Sequence, residues 1–152
     1  NGTVTSIDPQ INAEHFNMLK HVIPEDYFKH VKIIKGNSQS VLPNLKEKYD
    51  LIYIDGDHSY HGTKTDWEHC SRLFTKMVLF DDYHLPTKDD AGIACRQAID
   101  EIDESKFDCA EKELLICDRR MFFDDRRLSD AEIDYGQVLL TKKDLNHVSS
   151  EW

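Results

Sequence analysis

The stretch from Asp50 to His84, DLIYIDGDHSYHGTKTDWEHCSRLFTKMVLFDDYH, limits most tightly what this chain can fold into. It opens with Leu51-Ile52-Tyr53-Ile54, an apolar, β-rich run stopped by Asp55-Gly56-Asp57, the pattern of a strand buried on both faces. A second run, Met77-Val78-Leu79-Phe80, ends in Asp81-Asp82-Tyr83-His84. Between them, Tyr60 to Phe74 places Trp67, Cys70, Leu73 and Phe74 at helical spacing. The pattern predicts strand, helix, strand. Such a connection joins parallel neighbours and brings both carboxyl ends to one edge of a sheet, where open α/β folds bind ligands. Asp55, Asp81 and Asp82 are then expected to meet. Three carboxylates in one crevice repel unless a cation or shared protons intervene, and all-oxygen ligation suits magnesium or calcium rather than zinc.

A chain of 152 residues, 39% hydrophobic and 32% charged, fits one globular domain with a real core. Its formal net charge of −10 argues against nucleic acid or an anionic membrane surface as a partner. Cys70, Cys95, Cys109 and Cys117 show no Cys-x-x-Cys spacing and read as buried thiols. With no long apolar run, a cytoplasmic, reducing setting is expected. The chain opens at Asn1, without methionine, and enters a strand within a few residues, which suggests a fragment.

Around the central stretch the elements alternate. Gly2 to Asp8 reads as a strand closed by Pro9, and Ile11 to Val22 as a helix closed by Pro24, with a short turn at Tyr27 to His30. Val31 to Lys35 is the next strand, cut by Gly36, after which Ser38 is expected to cap a helix beginning near Gln39. Asp89 or Asp90 should cap a helix running to about Ser105, with Ile93, Ala94, Gln97, Ala98 and Ile102 inward. Glu113 to Cys117 and Gly136 to Thr141 are the last strands, without a helical run between them, which predicts an antiparallel hairpin edge. Residues 118–134 read as a loop, a partner surface or a lid, and 146–152 as a fraying tail.

These residues together resemble class I S-adenosylmethionine (SAM)-dependent methyltransferases, in particular the small metal-dependent O-methyltransferases that act on catechols and macrolide sugars. The likeness runs from Val4 to about Thr141 and implies a Rossmann-like, doubly wound, mostly parallel sheet in a domain of residues 1–145. It implies that Asp8, in VTSIDP, accepts the ribose hydroxyls of SAM, and that Asn37, Ser38 and Gln39, in GNSQSVLPNL, lie against the adenine. The resemblance also implies that Asp55, in YDLIYIDGDH, faces the cofactor and ligates Mg2+ or another hard divalent cation together with Asp81 and Asp82, in VLFDDYH. In the family the base that deprotonates the acceptor stands two or three positions after the first metal acid, which here implies Asp57 or His58. Histidine has the better unperturbed pKa near neutrality. The implied reaction moves a methyl group from SAM to the hydroxyl of a small molecule.

The family's first strand and glycine-rich loop have no counterpart here. The gap is expected to expose edges that a second copy could cover, or to force the strands ending at Asp8 and Asp55 together. Plainer roles stand beside these: Asp8 could cap a turn, the three other acids could cap loops and helices, and His58 could be an exposed loop histidine. His61, Tyr83 and His84 lie near enough to touch substrate or metal. Two further readings compete, a non-catalytic methyltransferase-like module and a metal-dependent hydrolase using the same acids; Asp8 and the Ser38-Gln39 segment count against the second.

Overall fold

The β-rich runs and periodic stretches become, in chain order, β1 (Val4–Asp8), α1 (Ala13–Val22), α2 (Glu25–Phe28), β2 (Val31–Lys35), α3 (Ser38–Val41), β3 (Tyr49–Ile54), α4 (Tyr60–Cys70), β4 (Phe74–His84), α5 (Ile93–Asp100), β5 (Glu113–Ile116) and β6 (Tyr135–Thr141). The computed structural model describes residues 2–84, 93–110, 112–116 and 135–143. The chain divides into two units, 1–45 and 46–152, and no strand of one sheet belongs to the other.

In the first unit β1 and β2 pair in parallel, from Val4 opposite Val31 to Asp8 opposite Lys35. α1 starts where Asn12 caps it, its side-chain oxygen accepting from the amides of Glu14 and His15, and it stops at Ile23 before Pro24. α3 corrects the expected cap. Asn37, not Ser38, is the capping residue, its Oδ1 accepting the Gln39 amide at 2.9 Å, and Ser38 is the first helical residue. After one turn the helix tightens into a 3-10 turn at Leu42–Asn44, around Pro43.

In the second unit the strand order is β3-β4-β6-β5. β3 and β4 are parallel, joined through α4 as expected, while β6 runs antiparallel to both β4 and β5. The terminal hairpin is therefore present, but β6 lies inside the sheet and β5 forms its edge. Phe80, Leu73, Ile99, Leu140 and Val78 are the largest fully buried side chains. Trp67 of α4 meets the rings of Phe74, Phe80 and Phe107 at 5.8, 5.6 and 4.8 Å.

Two boundaries differ from the sequence reading. α4 ends at Cys70, and Phe74 reaches the core from the start of β4 rather than from the helix. The amide of Tyr49 bonds the Leu73 carbonyl, so the chain is already committed to the sheet there. α5 ends at Asp100, short of Ser105, before Asp103 caps a separate 3-10 turn at Glu104–Phe107; the helix turns Cys95, Ala98 and Ile99 inward and leaves Gln97 exposed, and Ile102 is buried just beyond it. The expected caps Asp89 and Asp90, residues 118–134 and the tail lie outside the described residues. Among the described residues β1 pairs with β2 alone and β3 with β4 alone.

No helix among the described residues is long and apolar enough to cross a membrane. Cys70, Cys95 and Cys109 are buried, and burial pushes the Cys70 thiol up to about 12. Alkylation by iodoacetamide at pH 8 is accordingly expected to spare these three in the native protein and to reach them in denaturant, as residue-resolved mass spectrometry would show. Rapid native labelling of Cys70 would contradict its placement.

Candidate acidic rim and nucleotide-facing acid

Asp8 closes β1, and its Oδ1 accepts the Gln10 amide at 2.7 Å, a turn that carries the chain away from the strand. The amide of Gly36, which follows β2, bonds the Asp8 carbonyl at 3.2 Å. Asn37, Ser38 and Gln39 form the start of α3, which packs on β1 within the same unit. The strand-terminal acid and the expected adenine-facing segment thus share one small α/β unit.

The second unit carries the other acids. Ile54 stands opposite Phe80 in the β3–β4 register, so Asp55 and the Asp81-Asp82 pair leave adjacent strands at the same rim. β4 does not stop at the acids. It continues to His84 through a bulge, with Phe80 opposite Val138 and Tyr83 opposite Gly136, leaving two residues, Asp81 and Asp82, to oppose Gln137 alone. Asp82 takes a left-handed φ of 52°, strained for a residue other than glycine. The bulge turns the two carboxylates to different partners.

Asp82 and Asp55 meet His58. Its Nδ1 lies 2.7 Å from Asp82 Oδ2 and its Nε2 lies 3.4 Å from Asp55 Oδ1. Ligand atoms of Asp55, His58 and Asp82 all fall within 4.8 Å of one another, a spacing that a single cation can span. Asp81 turns instead to Tyr53 of β3, whose hydroxyl donates to Oδ2, and to Gln137 of β6, whose Nε2 donates to Oδ1 at 3.2 Å. Burial, then the charge of Asp81, hold the Asp55 carboxyl above the usual carboxylate range, with Asp82 adding to the effect. Burial and the hydrogen bond to Asp81 likewise push the Tyr53 phenol up, keeping it a donor.

The loop that carries His58 is held from both sides. Asp57 Oδ1 accepts the Ser59 amide at 3.0 Å, and Ser59 Oγ accepts the Gly62 amide at 3.0 Å, capping α4. From α5, the Cys95 thiol donates to the His58 carbonyl at 3.2 Å, while the Thr63 hydroxyl donates to Cys95 Sγ at 3.3 Å. Of the two residues the sequence offers as base, His58 faces the acids and Asp57 serves the turn. Of the other aromatic neighbours, Tyr83 donates to Asp100 Oδ1 at 2.9 Å and His61 packs edge-on against Tyr60. The sequence reading missed Tyr53, Gln137 and Cys95. Tyr53 reads there as one more apolar strand residue, and the other two come from distant elements.

The donor set suits the cation that the resemblance implies: two carboxylates and one imidazole converge, and a divalent ion there would offset both the burial of the Asp55 carboxylate and the charge of its neighbouring acids. The arrangement of parallel strands, crossover helix and one antiparallel strand is the Rossmann-like methyltransferase fold. It is similar, at 15% identity and a TM-score of 0.61, to a cofactor-bound protein from MTB, covering 92% of this chain and 61% of that one. It is also similar to an O-methyltransferase from Bacillus cereus in complex with SAH (14% identity, TM-score 0.60, 93% and 63% covered). A third likeness is to TomG from Streptomyces achromogenes, an O-methyltransferase involved in tomaymycin synthesis, in complex with SAM (12% identity, TM-score 0.58, 93% and 62% covered). The chain spans about three fifths of the length of these structures. Among curated protein sequences none matches. A family model described as a methyltransferase domain matches residues 1–83, more than half of the sequence, and the chain belongs to that family.

Proposed function

We propose that this chain is the greater part of a SAM-dependent, divalent-metal-assisted O-methyltransferase domain acting on the hydroxyl of a small molecule. The observation that carries the reading is the position of His58, bonded through Nδ1 to Asp82 and facing Asp55 with Nε2 at one rim. When bound, SAM supplies a methyl group on a sulfonium, which needs no activation beyond alignment with an oxygen nucleophile. When bound, a divalent cation supplies Lewis acidity that makes a nearby hydroxyl easier to deprotonate.

The protein's own residues do the rest. Asp8, Asn37, Ser38 and Gln39 bind the nucleoside half of the cofactor, Asp8 accepting from the ribose hydroxyls and the start of α3 facing the adenine, and Asp55 faces the cofactor from β3. Asp55, Asp81 and Asp82 hold the cation. Asp82 accepts a hydrogen bond from His58 Nδ1–H, which leaves Nε2 as the basic nitrogen and orients the ring. His58 then removes the acceptor's proton at Nε2, and Asp57 keeps its turn in shape. The domain occupies residues 1–145, its partner is the small-molecule acceptor, and its buried thiols fit a reducing, cytoplasmic setting. A second copy covers the edge of β3 that no strand pairs among the described residues.

Calorimetric titration with S-adenosylhomocysteine, with and without Mg2+, tests the proposal. Micromolar binding is the expected result. No heat from the folded protein would favour the non-catalytic module. A thermal melt adds a second check. Because the folded-state pKa of Asp55 is raised, its ionised form is disfavoured in the native protein, and stability falls as pH rises from the unfolded pKa through the raised folded one. Mg2+ is therefore expected to raise Tm most at neutral pH, where Asp55 carries its charge, and to raise it less as the pH falls and Asp55 takes up its proton. A melt indifferent to Mg2+ at pH 7 would remove the cation from the mechanism.

A further inference from the structure

The bulge in β4 separates the fates of two neighbouring acids. Asp82 is given to His58, whereas Asp81 accepts from donors on both flanking strands, the Tyr53 hydroxyl at Oδ2 and Gln137 Nε2 at Oδ1. Tyr53 Oη and Gln137 Nε2 also lie 3.5 Å apart, so the two donors form one bracket around a single carboxylate. Tyr53 and Leu79 are register partners, as are Leu79 and Leu139; Asp81 and Gln137 lie two residues along from Leu79 and Leu139, which puts the bracket on one face of three adjacent strands. Both oxygens of Asp81 already accept a hydrogen bond, so a cation recruited by Asp81 meets a carboxylate that these donors hold in place and partly neutralise.

Building on the cation site proposed above, we infer that Tyr53 and Gln137 are positioning residues that form a latch on Asp81. They compete with the cation for its carboxylate and thereby set the affinity of the site. Among the described residues Asp55 meets no such pair of donors; His58 faces it, with Nε2 at 3.4 Å. The site therefore combines one acid open to a cation with one held back, and its affinity is governed by residues that need not touch the metal.

Mn2+ binding to the full chain, followed by loss of the free-ion electron paramagnetic resonance signal, tests the latch without any assay of activity. Tyr53→Phe removes the hydroxyl donor and keeps the ring, and it is expected to tighten Mn2+ binding by roughly threefold to tenfold, the scale of one competing hydrogen bond. Gln137→Leu should act in the same direction. In an Asp81→Asn background, Tyr53→Phe should have no effect, because the competition has lost its object. Weaker or unchanged binding in Tyr53→Phe, or an equal gain with Asp81 already replaced, would overturn the latch while leaving the cation site standing. A wild-type chain that takes up no Mn2+ would overturn both.

Discussion

Replacing His58 by alanine is expected to lower methyl transfer to a hydroxyl acceptor by roughly 10²–10⁴, the usual contribution of a positioned base, with little change in cofactor affinity. The expectation rests on geometry. Asp82 engages Nδ1 at 2.7 Å, so the imidazole is turned with Nε2 toward Asp55, beside the rim where an acceptor oxygen would sit. Asp57→Ala is the matched control. Asp57 spends its carboxylate on the Ser59 amide at 3.0 Å, a local turn bond whose loss costs about 1 kcal/mol of stability. Steady-state rates at saturating Mg2+, together with melting temperatures, separate the two residues. Activity unchanged in His58→Ala, or a loss in Asp57→Ala larger than its stability change explains, would reverse the assignment.

Gly62→Ala should have the largest effect on folding. Gly62 lies in the first turn of α4, beneath the loop that carries His58, and a Cβ built there would come within 2.5 Å of both Asp57 Cβ and the Asp57 carbonyl oxygen. Neither contact is the far end of a flexible side chain, so the loop itself must move. Overpacking of this kind costs about 1–3 kcal/mol, occasionally more, and each kcal/mol lowers Tm by about 2–4 °C in a chain of this size. The movement also pulls on the Ser59–Gly62 cap and on the Cys95 bond to the His58 carbonyl, so Mg2+-dependent stabilisation should shrink along with Tm. Calorimetric melts with and without Mg2+ read both quantities. A variant melting with the wild type would mean that the loop packs less closely on α4 than these distances indicate.

The central strand–helix–strand unit was legible because both strands are short apolar runs ended by acids, and because the stretch between them spaces Trp67, Cys70 and Leu73 three apart. The parallel pairing of β3 and β4, and hence the rim holding Asp55 with Asp81 and Asp82, follows from that pattern. The helix ends were less legible. Phe74 satisfies helical spacing equally well from the first position of a strand, and the choice between Ser38 and Asn37 as a cap depends on which side chain reaches a free amide. Periodicity reports which face of an element is apolar; it does not report where the backbone leaves one ladder for another.

The amino-acid sequence alone determined the order of elements, the edge at which the acids collect, and a resemblance that the family match bears out. Those depend on local patterning and on the fixed handedness of parallel crossovers. Only the tertiary structure decided that β6 enters between β4 and β5, that a bulge opposite Gln137 parts Asp81 from Asp82, and that His58 rather than Asp57 faces the acids. Each of those outcomes depends on residues brought together from far apart in the chain, and no local pattern encodes which partner a carboxylate will find across a neighbouring strand.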